Sequence, residues 1–317
     1  MNFLVAIVGP TGIGKSRLAL HLARKFGGEI ISADSRQVYR HMDIGTAKPD
    51  PQEQAQVRHH LIDVVNPGEG FSLAQYQKLA LSAIKDIQRC AKLPILVGGS
   101  GLYVRAVLEG WQLPEAKPDP ELRHQLEKRA ADDGGESLYQ ELMKADPAAA
   151  QKIDPRNVRR VIRALEVYYQ TSQAFSRHQS KRALAFRTLI IGLTADRKEL
   201  YRRIDRRVDE MVKRGLVAEV EKLVNMGYDF NLPAMSSIGY KQIAMVLKGE
   251  ISLEMAVQQI KYETHRFVRH QYAWFRLDDE RIHWFDIAQV QEAEIEALVA
   301  GFLEGRPGNR ETISVSE

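Results

Sequence analysis

The stretch FLVAIVGPTGIGKS, Phe3 to Ser16, decides the fold. Phe3 to Val8 is a short, wholly apolar run that stops at a glycine turn, the pattern of a strand buried on both faces, and Lys15 to Phe26 then carries helical periodicity. Between them Gly9-Pro10-Thr11-Gly12-Ile13-Gly14-Lys15-Ser16 satisfies G-x-x-x-x-G-K-[ST], with the strand before it and the helix after it that such a loop requires. Glycines let backbone N–H groups point into one concavity, and the helix N-terminus adds partial positive charge, so the loop suits a diphosphate. Lys15 adds a full charge, and Ser16 a hydroxyl for a bound Mg²⁺.

Working outward, Glu29 to Ser32 reads as a second strand, Ser72 to Ala91 as a helix, and Pro94 to Val97 as a buried strand ending in Gly98-Gly99-Ser100-Gly101. Strands alternating with helices imply an α/β fold of the P-loop NTPase-like kind, a doubly wound parallel sheet with its ligand beyond the carboxyl ends of the strands. From Trp111 to Pro120 the composition shifts to Pro, Glu, Lys and Asp, a linker, and the chain to about Ser180 has helical patterns without strand candidates, an inserted all-helical lobe. Thr188 to Leu193 resumes a strand, Arg197 to Val224 and Leu253 to Arg276 read as long helices, and Ile282 to Phe285 as a last short strand. The expected division is a catalytic core of residues 1–115 and 186–286, a lobe of residues 116–185, and a C-terminal helix with a frayed tail over residues 287–317.

Hydrophobic residues make up 44% and charged residues 27% of the 317, a globular balance that argues against disorder away from the C-terminus. The single cysteine, Cys90, cannot form an internal disulfide or a cysteine zinc site, which fits a reducing cytosol, and it reads as a partly buried helical residue. No basic leader precedes Phe3 and no apolar run reaches membrane-spanning length, so a soluble cytoplasmic protein is expected. The net charge is only +4, but Lys152 to Arg207 holds fifteen Lys and Arg against five Asp and Glu, leaving +10 there and −6 elsewhere. Such an excess beside a phosphate-binding core favours a polyanion such as nucleic acid over a merely solvated face.

The loop fixes the phosphate site but not the reaction. Asp34 follows the second strand and emerges at the same sheet edge, where it can serve as a general base, as a metal-liaison carboxylate or as an N-cap. The strand Pro94 to Val97 ends in glycines rather than an acid, unlike a motor ATPase.

These residues resemble the bacterial tRNA dimethylallyltransferases, also called tRNA isopentenyltransferases. The resemblance is carried by GPTGIGKS at Gly9 to Ser16, SADSRQVYRHMDIGTAKP at Ser32 to Pro49, VGGSGLYVRA at Val97 to Ala106 and DPRNVRRVIRALEVY at Asp154 to Tyr168. It continues in LYRRIDRRVDEMVKRGLVAEV at Leu200 to Val220, SSIGYKQI at Ser236 to Ile243 and THRFVRHQYAWFR at Thr264 to Arg276. It implies transfer of a five-carbon dimethylallyl group from its diphosphate to the exocyclic amine of the adenine 3′ of the tRNA anticodon. Asp34 is then the base, and Ser35, Arg36 and Gln37 contact the target nucleotide. Thr11 to Ser16 hold the donor diphosphate with Mg²⁺, and Lys15 and Arg207 neutralise it. Ser100, Arg123 and the run Arg159, Arg160, Val161, Ile162, Arg163 match positions that contact tRNA, Tyr103 reads as packing, and a monomer is implied. The adenine would leave its stack for a channel between core and lobe, and the basic lobe would grip the anticodon stem-loop. The helix Leu253 to Arg276 mixes Arg266, Arg269 and His270 with Tyr272, Trp274 and Phe275, suited either to phosphate grip and base stacking or to a basic outer face over an aromatic core face. The family more often has threonine at Ser100 and alanine-lysine at Val268-Arg269.

Two rival readings are a small-molecule kinase, which uses the loop for ATP and Asp34 as base, and a nucleotide-gated RNA-binding module. The first leaves the +10 region idle. The second has no need of Asp34.

Overall fold

The apolar run at the start of the chain becomes β1, Phe3–Val8, with all but its first residue buried. The fold was obtained as a computed structural model describing residues 2–114, 119–176, 181–182 and 184–305. β1 lies inside a six-stranded sheet with β2 (Gly28–Ser32), β3 (His59–His60), β4 (Leu93–Val97), β5 (Arg187–Thr194) and β6 (Ile282–Asp286), in the order β3-β2-β4-β1-β5-β6. Every pairing is parallel, with Val5 opposite both Ile95 and Leu189. β1 and β4 read as continuous apolar runs because helices cover both faces of such a sheet.

Helices α1 (Lys15–Phe26), α2 (Pro51–Gln56), α3 (Leu73–Arg89) and α4 (Gly101–Leu108) connect the first strands. Ser72 and Gln75 cap α3 reciprocally through a capping box. That helix stops earlier than the expected Ala91, because Ala91 is left-handed at φ 55. Cys90 caps it and is exposed, not partly buried as expected.

The chain divides into two compact units, residues 1–108 with 184–317 and residues 109–183. The boundaries fall at Glu109 and Leu184, several residues before the expected start of the lobe and two before its expected end. The smaller unit holds α5 (Pro120–Asp132), α6 (Gly135–Ala145), α7 (Pro147–Ala150) and α8 (Val158–Thr171), packed around Leu126, Leu138, Leu142, Val161 and Leu165. Asp119 and Asn157 cap α5 and α8 with their side chains.

The larger unit resumes with α9 (Arg197–Lys213), α10 (Leu216–Asn225), α11 (Tyr240–Leu247), α12 (Leu253–Trp274) and α13 (Glu292–Leu303). Gly215, at φ 99, breaks the expected helical run into α9 and α10. α13 is no separate C-terminal piece: Ile295, Val299 and Phe302 join the core, and the Phe302 ring meets Phe3 edge-on at 4.9 Å. The expected tail beyond Gly305 and residues 115–118 of the linker lie outside the described residues. Among the described residues no helix is long and apolar enough to cross a membrane.

Candidate active site

Loops leaving β1, β2 and β4 line one cavity of about 360 Å³ in the larger unit, together with α9 and α12. β1 runs into the glycine loop. Gly9 is at φ 136, and a Cβ there would lie 2.5 Å from the Leu193 carbonyl oxygen, so only glycine allows the chain to turn so close to β5. Gly14, at φ 103, starts α1 and aims its N-terminus at the cavity's Lys15 and Ser16.

The loop's donors are not all equivalent. Pro10 has no N–H, and its carbonyl instead accepts from the Lys15 ammonium at 2.8 Å. The Thr11 N–H donates to Gln271 Oε1 at 2.8 Å. Ile13 buries its side chain in the core and contributes backbone only. The amides of Gly12 to Ser16 are thus the ones left for an anion.

Lys15, Arg207 from α9 and Asp34 from the loop after β2 share the cavity, whose lining also includes Arg36 and His59. Arg207 Nη1 lies 3.4 Å from Thr11 Oγ1. Burial and the Arg207 guanidinium push the Lys15 ammonium down to about 7, with Asp34 pulling the other way. Arg207 is likewise lowered by burial and supported by Asp34. Two cations so crowded make this end of the cavity electropositive.

Asp34 Oδ1 accepts the Arg36 N–H at 2.8 Å, and the Ser35 N–H donates to Ser100 Oγ at 3.0 Å, so the loops after β2 and β4 are tied beside the carboxylate. Arg36 also donates to the Pro233 carbonyl at 3.0 Å. Gln37 has its amide NH₂ on the Thr46 and Ala47 carbonyls, and its oxygen accepts from Ser32 Oγ at 2.9 Å. The strand Leu93–Val97 runs into Gly98 and Gly99 and carries no acid at its end.

On the other side α9 and α12 give the cavity an apolar flank, Ile204, Val208 and Met211 on one helix and Ile260 and Phe267 on the other. These repeat at helical spacing, so each helix presents one stripe to the cavity.

In the smaller unit Arg159 and Arg160 on α8 are exposed. Val161 and Ile162, expected with them to contact tRNA, are buried in that unit's core, since they lie on the opposite face of the amphipathic helix. Arg123 and Arg163 converge on the buried Glu166 carboxylate at 2.9 and 2.7 Å, and the Asp119 N–H reaches its other oxygen at 2.7 Å. These pairings hold Glu166 below the usual carboxylate range against its own burial. On α12 two of the aromatics, Trp274 and Phe275, follow the second of the two expected arrangements, an aromatic core face under basic residues. Phe275 is buried, and Trp274 packs on Gly101 beneath Arg105, 5.5 Å from the ring. Arg266, Arg269 and His270 form the exposed basic face. Tyr103 is buried and stacked on Tyr76 at 3.8 Å, as expected of packing.

Three groups escaped the sequence reading. Gln271 bridges two loops, donating from Nε2 to the Gly99 carbonyl at 3.1 Å. Glu219 accepts the N–H groups of Asp43, Ile44 and Gly45 and, at 2.5 Å, the Tyr240 hydroxyl. Lys48 is buried and donates to the Tyr39 carbonyl, Asp43 and Asp63. The one available signal was the stripe Thr264, Phe267, Gln271 on the inner face of α12, masked by its arginines and aromatics.

The IPP transferase family model matches residues 37–278. A tRNA dimethylallyltransferase of Roseiflexus castenholzii is 55% identical over 86% of this chain and 89% of its own length. Among solved structures, the full-length tRNA isopentenylpyrophosphate transferase of Bacillus halodurans is 42% identical, with a TM-score of 0.71 over 96% of this chain and 98% of that one. A eukaryotic dimethylallyltransferase acting on tRNA is 29% identical, with a TM-score of 0.81 over 98% and 82%. With a glycine loop, a carboxylate and an apolar flank in one cavity, and with relatives matched along nearly the whole chain, the protein belongs to the IPP transferase family of prenyl-transferring, tRNA-modifying enzymes.

Proposed function

We propose that the protein transfers the dimethylallyl group from dimethylallyl diphosphate to the exocyclic N6 amine of the tRNA adenine 3′ of the anticodon. The observation that carries this reading is the cavity itself. A diphosphate cradle, a carboxylate and an apolar flank face one another, which suits a short branched alkyl diphosphate and a weakly nucleophilic amine.

As the allylic carbon–oxygen bond breaks, positive character grows on carbon and negative charge on the leaving diphosphate. The Gly12 to Ser16 amides, Lys15 and Arg207 stabilise that negative charge without reorganising. Asp34 accepts a hydrogen bond from the amine, orients it and takes its proton as the new carbon–nitrogen bond forms. Ser35, Arg36 and Ser100 hold the Asp34 loop, while Gln37, saturated by protein partners, orders the adjoining Thr46–Ala47 backbone.

The donor set fits Mg²⁺. Ser16 is exposed in the cavity beside the glycine-loop amides, and a hydroxyl next to a phosphate cradle is the usual protein ligand of a Mg²⁺ that keeps most of its waters. Ser16 Oγ would hold it, and when bound it adds positive charge beside the diphosphate. The anticodon stem-loop is the RNA partner, with Arg159 and Arg160 gripping phosphates.

The test offers labelled dimethylallyl diphosphate and γ-labelled ATP separately to the protein with unmodified tRNA and Mg²⁺. Label in tRNA from the prenyl donor alone is expected. Phosphate transfer from ATP, without prenyl transfer, would replace this reading by the kinase.

A further inference from the structure

We propose that Gln271 is a positioning residue that sets the separation between the diphosphate loop and the loops bearing the proton acceptor, an inference that rests on the prenyl-transfer reading. The sheet ladder between β1 and β4 ends where the Gly98 N–H meets the Ile7 carbonyl at 3.2 Å. Beyond it, the two loops must be spaced by something else. Gln271, 4% exposed, reaches in from α12 and accepts the Thr11 N–H through Oε1 at 2.8 Å while donating through Nε2 to the Gly99 carbonyl at 3.1 Å.

Only one orientation of the amide satisfies both partners, because one is a donor and the other an acceptor. The fit is close enough that a Cβ at Gly99 would lie 2.2 Å from Nε2. From Gly99 the chain continues to Ser100, whose Oγ accepts the Ser35 N–H at 3.0 Å, and Ser35 adjoins Asp34. A single amide therefore joins Thr11, beside Arg207 and the leaving diphosphate, to the carboxylate that receives the proton. Gln271 also takes the Thr11 N–H out of the set of amides offered to the anion.

Lost spacing between bound reactants slows chemistry more than binding. Gln271→Met keeps length and removes both hydrogen bonds. Gly99→Ala displaces the same amide from the other side. Each variant is expected to lower the single-turnover rate with both substrates saturating by roughly 10- to 100-fold, the cost of about an ångström of misplacement. Dissociation constants for dimethylallyl diphosphate and for the stem-loop, measured separately, should stay within about 3-fold of wild type, the pattern of an interaction expressed in the transition state. Because both changes break one contact, the double variant should be no slower than the slower single one.

Single-turnover rates near wild type, with only the melting temperature lowered, would show Gln271 to be structural and overturn the proposal. So would effects that multiply in the double variant. Should Gln271→Met fail to fold, Gly99→Ala alone decides by the same split between rate and affinity. The wild-type control separates the two layers, since no label from wild type defeats the prenyl-transfer reading, whereas normal label from wild type and variants alike defeats only the role of Gln271.

Discussion

Lys15 carries the sharpest consequence at the scale of a residue. Its ammonium titrates near 7 in the folded protein against 10.5 ordinarily, so between those values the unfolded chain binds the extra proton. Stability from this group therefore rises with pH from about 7 to 10.5, and its penalty is complete below 7. Lys15→Met is expected to raise the melting temperature of the substrate-free protein at pH 6, by a margin that shrinks as pH approaches 10, while destroying donor binding. A melting difference independent of pH would contradict the assignment. For the same reason the diphosphate donor should bind at pH 8 with proton uptake, read by calorimetry in buffers of different ionisation enthalpy. The loop and Asp34 were legible because a spacing motif and a strand end announce them. Gln271 and Glu219 were not, because a buried side chain that satisfies backbone groups far along the chain leaves little local pattern, and the stripe that holds Gln271 is masked by its neighbours on α12.

Among the elements, α8 separates two kinds of arginine. Arg163 and Arg123 are consumed by Glu166, which is fully buried, whereas Arg159 and Arg160 face solvent. Glu166→Ala leaves two partly buried guanidinium groups without their counter-charge and should cost about 3–5 kcal/mol, checked by urea unfolding. Arg159→Ala and Arg160→Ala should instead leave stability unchanged, weaken stem-loop binding, and each reduce the slope of log affinity against log salt by about 1. Equal slopes in wild type and variants would remove these arginines from the phosphate contacts. The sequence pattern read this stretch only as helical and without strands, and the family resemblance treated Arg159 to Arg163 as one contact run. Helical geometry sends Val161 and Ile162 to the other face. On α12 the same geometry assigns Trp274 and Phe275 to packing and leaves the basic residues outside.

At the scale of the whole molecule, the parallel sheet and the inserted helices followed from alternating apolar runs, since a strand buried on both faces has few other sequence patterns. The charge reading was coarser. The basic stretch Lys152 to Arg207 is split between the two units, and residues 109–183 hold thirteen Lys and Arg against twelve Asp and Glu, so the lobe is close to neutral and its basicity is local to α8. A window that starts at Lys152 leaves out the acids upstream of it, five of them on α5 and α6. The proposed reaction brings an amine, an allylic carbon and a diphosphate into one cavity beside Asp34. The most direct test is the single-turnover rate of label transfer from dimethylallyl diphosphate to tRNA in wild type and Asp34→Ala, with donor affinity measured in parallel. A rate lower by roughly 100- to 10,000-fold with donor affinity retained is the expected result; transfer within a few-fold of wild type would contradict it.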